Sequence, residues 1–149
     1  MKEIEIISDG ANYTAADMGA LDKINEYTFQ FTPDIAIPGK LFIGEALKNT
    51  GTEVSFTVVP AGMGGDFLHV HKTNEELYIV LKGCGVFQVD NNLFEIKEGS
   101  LIRVAPDGNR SWKNTGDEPL IMICIQSLAG SLRDLGIKDG RILQEEIKW

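Results

Sequence analysis

Two histidines and two cysteines are all that this sequence of 149 residues has of either. Cys84 and Cys124 lack the close pairing of a metal knuckle. They are expected to be reduced and buried, although sequence alone leaves a disulfide between them open. Clustered positive charge is also missing. Fourteen Lys and Arg stand against 22 Asp and Glu, a net charge of −8, and the basic residues are scattered singly. A phosphate backbone or an anionic membrane surface requires a concentrated basic patch, so neither is an expected partner. No apolar run approaches the roughly 20 residues of a membrane-spanning helix. The opening Met1-Lys2-Glu3-Ile4-Glu5 has no apolar signal core, which makes the cytoplasm the expected location. No repeat of solenoid length and no low-complexity stretch occurs.

Turn residues are plentiful: there are 16 Gly and five Pro. The length fits one domain able to bury a core without staples. Residues 1–40 are the least regular part. A short helix is expected within Thr14–Ile24, weakened by Gly19, before Pro33 and Pro38 break the chain. This segment reads as an irregular arm packed on the main body or on a partner subunit. From Leu41 to residue 149 the sequence reads as the main body with a C-terminal extension. Short β-branched and aromatic runs alternate with turns, as in an antiparallel sandwich or barrel. Strands are expected at Val54–Val59, Phe67–His71, Leu77–Leu81, Val86–Val89, Phe94–Lys97, Leu101–Ala105, Arg110–Asn114 and Leu120–Gln126. Asp90-Asn91-Asn92 marks a hairpin turn. A helical turn is expected at Leu132–Leu135, and a last strand or docked extension at Arg141–Trp149. Leu77–Leu81 and Leu120–Gln126 are apolar on both faces. One face would fill the barrel, and the arm, the tail or another subunit would cover the other.

The only two histidines, His69 and His71, are two residues apart. On a strand their rings share one face. Glu76 opens the next strand after the short turn Lys72-Thr73-Asn74-Glu75, which can bring its carboxylate beside both rings. Two imidazoles and a carboxylate form a three-sided donor set with open positions, suited to Fe, Mn, Ni or Zn. The alternative is a buried polar cluster without metal. Tyr78 shares the strand face of Glu76, where it either lines the site with its hydroxyl or packs the barrel. Gln126 and Cys124 alternate together on the last strand, in a direction the sequence leaves open.

These residues resemble the cupin family. Its first motif runs Gly, five residues, His-X-His, three or four residues, Glu, six residues, Gly. Here His69-Val70-His71 is followed by four residues, Glu76, six residues and Gly83; Met63 takes the leading glycine's place between Gly62 and Gly64. The second motif runs Gly, five residues, Pro-X-Gly, two residues, His, three residues, Asn. Gly99, Pro106, Asp107 and Gly108 match it with one extra residue before the proline, and Asn114 resembles its end. The likeness covers Gly62 to Asn114, with flanking strands to Gln126. It implies an all-β fold, an antiparallel double-stranded β-helix, or jelly-roll barrel.

The histidine of the second motif is missing. Its place falls on Arg110 or Ser111, and Arg110 is preferred because Trp112 and Asn114 then share its face. Cupins usually hold a metal with three His and one Glu, so the likeness implies a divalent metal on His69, His71 and Glu76. Arginine stays protonated and is no ordinary ligand. Arg110 would clamp an anionic substrate, pair with Glu76 in the metal's place, or form a simple surface salt bridge. Two functions follow, beside a third reading of a purely structural barrel with a filled interior and no pocket around His69. One is a metal-dependent enzyme on a small anionic or sugar-like substrate, of dioxygenase, isomerase, epimerase or decarboxylase type, with Arg110 and Tyr78 as catalytic residues. The other is a non-catalytic small-ligand-binding protein without metal. A homodimer is what the resemblance implies.

Overall fold

Strand-forming sequence dominates from Lys40 to Leu128, and the computed structural model, which describes residues 2–149, folds it into two facing antiparallel sheets. The strands are β1 (Glu5–Gly10), β2 (Tyr13–Asp17), β3 (Thr28–Thr32), β4 (Ile35–Pro38), β5 (Lys40–Phe42), β6 (Thr52–Val59), β7 (Asn74–Lys82), β8 (Cys84–Val89), β9 (Asn92–Lys97), β10 (Leu101–Val104), β11 (Arg110–Asn114) and β12 (Leu120–Leu128). One sheet has the order β10-β7-β12-β6-β5 and the other β11-β8-β9. This is the double-stranded β-helix expected from the sequence.

Alternation explains the packing. On β12, Leu120, Met122 and Cys124 turn inward with Val59, Tyr78, Val80, Ile102 and Val104, and meet Phe87 and Ile96 from the smaller sheet. Ile121 and Ile123 turn outward to Leu41 and Phe56, where Ile24 and Tyr27 of the arm cover them. The arm therefore covers one of the doubly apolar strands. Turn chemistry sets the registers. Asp90, at φ 51°, helps close the two-residue β8–β9 hairpin in which Val89 faces Asn92. Gly83 has φ 84°, and a Cβ there would approach the Pro119 carbonyl to 2.7 Å.

Four local expectations are corrected. The arm carries two hairpins, β1–β2 and β3–β4, and a 3₁₀ helix at Leu21–Glu26. Tyr13–Asp17 is strand where a helix was expected from Thr14, because its Tyr and Thr pair with β1. Phe67–His71 is no regular strand. It is an extended segment with a single bridge, His69 to Arg110. Neither a helical turn at Leu132–Leu135 nor a strand at Arg141–Trp149 forms, and Arg141–Trp149 is exposed throughout, so it is no docked extension either. Among the described residues no helix is long and apolar enough to cross a membrane.

Candidate metal centre

Both histidines lie on the segment between β6 and β7, and backbone hydrogen bonds fasten it along β11. Asn114 N–H donates to Met63 O (2.8 Å), Gly65 N–H to Trp112 O (2.9 Å) and His69 N–H to Arg110 O (3.2 Å), while Arg110 N–H returns to His69 O (3.1 Å). His71 N–H reaches Pro106 O at 3.0 Å. The segment therefore behaves as a partial fourth strand of the smaller sheet, and its alternation survives. The two imidazole centroids are 5.7 Å apart on the same side. Trp112 stands edge-on to His69 at 6.0 Å and packs against Tyr78 and Phe87. It is both core and wall.

Glu76 projects from β7 into this space and is 2% exposed. His71 Nε2 lies 3.0 Å from its Oε1, and His69 Nε2 lies 3.9 Å from its Oε2. One donor atom from each of His69, His71 and Glu76 falls within 4.8 Å of the others. The structure thus brings together the three residues named from the sequence.

Arg110 settles which residue takes the place of the missing histidine. It is 0% exposed, so the surface salt bridge is ruled out. Its Nε donates to Glu76 Oε2 at 2.8 Å, and Nη2 lies at the same distance from that oxygen, off the hydrogen-bond axis. Nη1 donates to Gly108 O (2.8 Å) and Pro106 O (3.2 Å). The guanidinium is held by Glu76 and by the Pro106–Gly108 turn. Ser111 instead reaches Gly65 O at 3.4 Å. Tyr78 donates its hydroxyl to the same Oε2 at 2.5 Å, and Cys124 Sγ donates to Oε1 at 3.3 Å. Cys124 therefore points inward, and both cysteines are free, with Cys84 exposed rather than buried.

Burial alone would raise the Glu76 carboxyl. Hydrogen bonds from Tyr78 and Arg110, the Arg110 charge and the Cys124 contact outweigh it and hold the group below its usual value. Burial, with the negative charge of Glu76 nearby, pushes the Cys124 thiol up to about 12 and the Tyr78 phenol far above its ordinary range. Both stay protonated donors at neutral pH. Burial lowers His69 against the opposing pull of Glu76, so its ring favours the neutral, ligand-competent form.

One atom bears on the fit of this donor set to a metal. His71 Nε2 is buried and has no hydrogen-bond partner although a carboxylate oxygen is 3.0 Å away. A ring nitrogen and a carboxylate oxygen this close, with no hydrogen bond between them, fit a cation held by both. Two donors each about 2.1 Å from a common ion span roughly this gap at a right angle. Oε2 is taken by Arg110 and Tyr78, while Oε1, which accepts from Cys124 Sγ, is turned toward His71. The residues fit a metal bound through His69 Nε2, His71 Nε2 and one oxygen of Glu76.

Sequence reasoning missed Lys40, on the inner face of β5. A single lysine after Pro38-Gly39 carries no signal that tells an inward side chain from an outward one.

Comparison with known proteins agrees with the fold. The Cupin domain family (Cupin_2) matches residues 54–126. An uncharacterised protein, MJ1618 of Methanocaldococcus jannaschii, is 34% identical over 103 residues, covering 69% of this chain and 79% of that protein. The crystal structure of a cupin protein, BF4112 from Bacteroides fragilis, superposes with a TM-score of 0.67 at 36% identity, over 78% of this chain and 96% of that one. A predicted oxalate decarboxylase from Thermotoga maritima superposes with a TM-score of 0.51 at 29% identity, over 57% of this chain and 73% of that one.

Proposed function

From the premise that the chain belongs to the cupin family, we propose that it is a metal-dependent small-molecule enzyme whose metal is held by His69, His71 and Glu76. The observation that carries this reading is the buried, unpartnered Nε2 of His71 facing Glu76 Oε1. Bound there, a divalent Fe, Mn, Ni or Zn would supply Lewis acidity, and three protein ligands would leave positions open for substrate.

The chain's own residues have separable tasks. Glu76 supplies one oxygen to the centre while Arg110 and Tyr78 fix the other. Outer-shell partners of this kind orient a carboxylate ligand. Arg110 and Tyr78 then act through Glu76 and are positioning residues. Both are buried against Glu76, so the task of holding an anionic substrate passes elsewhere. Cys124 holds Oε1 from below with a thiol that stays protonated. Trp112 and Phe67 flank His69 and give the centre an aromatic wall. The likeness to a predicted oxalate decarboxylase supports a small carboxylate as the type of substrate.

A second reading, a metal-free ligand-binding protein, draws on the Arg110–Glu76 pair, which neutralises the carboxylate without an ion. The two readings separate in one experiment. Titration of metal-free protein with Mn, Fe, Ni and Zn is expected to show one site that His71→Ala abolishes while the fold is kept. Equal metal binding by His71→Ala would reject the ligand set. No binding by the parent would favour the metal-free reading.

A further inference from the structure

The inner face of the larger sheet carries a second cation that the Glu76 centre does not use. Lys40 pairs with Thr57 at the edge of that sheet, and Leu41 between Lys40 and Phe42 turns out to the arm core. Lys40 and Phe42 therefore turn inward. Lys40 Nζ donates to Ser55 Oγ at 2.9 Å and Thr57 Oγ1 at 3.0 Å, and lies 4.9 Å from the centroid of the Phe42 ring. Ser55 is itself 1% exposed and lies opposite Cys124, which reaches Glu76. The ammonium is thus connected through one row of side chains to the candidate metal centre.

Its charge is not balanced. An ammonium has three donors and no acceptor, and two neutral hydroxyls satisfy only two of them. Among the described residues no carboxylate comes within ion-pair reach of Nζ. A lysine turned inward is normally paired, because a desolvated charge is costly without a counter-charge. Of the carboxylates that line the groove with it, Glu3, Glu45 and Glu53, the last is already held through Oε1 by the N–H groups of Gly44 (2.9 Å) and Val54 (3.0 Å). A Cβ at Gly44 would come within 2.5 Å of that oxygen, so the glycine keeps Glu53 docked. Arg110, the other interior cation, is neutralised by Glu76. Lys40, Phe42 and Glu53 line an open groove of about 950 Å³ at this edge, together with Lys2, Glu3 and Glu45; Ser55, Thr57 and the histidines lie outside it.

We propose that Lys40, with Ser55 and Thr57, forms an anion-binding subsite that takes the carboxylate or phosphate of a small molecule. The anion subsite stands with or without metal at His69, His71 and Glu76. Burial pulls the Lys40 ammonium below its ordinary value, against the pull of Cys124, Glu76 and Glu53, and a bound anion would restore it. Within a chain of net charge −8, this unpaired inward cation would select for an anion at a defined place.

The test uses metal-free, full-length protein and two probes, acetate and inorganic phosphate, followed by NMR titration. The parent should bind at least one saturably, with the largest shifts at Lys40, Ser55 and Thr57. Acetate alone would identify a carboxylate subsite, phosphate alone a phosphate subsite. Lys40→Gln should weaken that binding at least tenfold. Lys40→Arg should keep it within about threefold, and Lys72→Gln, on the exposed turn, should leave it unchanged. Undiminished binding by Lys40→Gln, saturable binding of neither ion by the parent, or shifts centred elsewhere would overturn the proposal. Should Lys40→Gln fail to fold, the parent's shift map and Lys40→Arg decide it. Loss of anion binding in Lys40→Gln from a protein that takes up no metal would keep this inference and reject the metal centre. The opposite pattern would reject the subsite alone.

Discussion

Glu76 is the residue on which the site turns. Its carboxylate is the counter-charge of a fully buried arginine and also the oxygen donor facing His71. Removing one member of such a pair leaves an uncompensated buried charge, at a cost of about 3–5 kcal/mol. Arg110→Met is therefore expected to lower stability by about that much, measured by urea denaturation. The double variant Arg110→Met/Glu76→Gln should lose less than the sum of the two single changes, by more than about 1 kcal/mol. Additive losses would mean that the pair does not couple. A pH dependence follows from the same residue. The folded-state carboxyl is depressed below the usual 4.5, so its stabilising contribution is full above that value and is lost as pH falls through the lower folded value. Metal-free parent should lose stability below about pH 4.5, and the Glu76→Gln variant should show a shallower acid limb. Identical acid limbs would remove Glu76 from the account.

At the scale of elements, the segment at residues 63–71 decides whether two histidines become a site. It is tied to β11 by four backbone hydrogen bonds and packs so closely that a Cβ at Gly64 would meet Trp112 O at 2.7 Å and Lys113 Cβ at 2.8 Å. Gly64→Ala should push the segment off β11, lowering stability by about 1–3 kcal/mol and weakening metal binding. Wild-type affinity in that variant would show that the segment's seat does not set the histidines. Much of this was legible beforehand. The His69, His71 and Glu76 spacing reads directly because strand periodicity fixes which side chains share a face. Arg110–Asn114 was readable to the residue because turns bound it on both sides. The arm was less legible: Tyr13–Asp17 becomes strand through pairing with β1, a tertiary choice that overrides a weak helical pattern. Lys40 and Cys124 were hidden for a related reason. Inward or outward direction depends on register, and doubly apolar or very short strands do not reveal it.

At the scale of the whole molecule, one outer face of the larger sheet is closed by the arm through Ile24 and Tyr27. The C-terminal segment is different: Ile137, Ile142, Ile147 and Trp149 are all exposed. We propose a homodimer, as the family resemblance implies, in which these side chains are covered. Analytical ultracentrifugation is expected to give twice the 16.4 kDa chain mass for the parent and a shift toward monomer when residues 131–149 are removed. A monomeric parent would reject the dimer. The central claim, that two histidines and one glutamate hold a metal beside a buried arginine, is tested most directly by elemental mass spectrometry on protein purified without a nickel column. The account predicts near-stoichiometric iron, manganese, nickel or zinc, present as isolated or after reloading, and its loss in His71→Ala. A parent that stays metal-free after soaking in all four ions would contradict it.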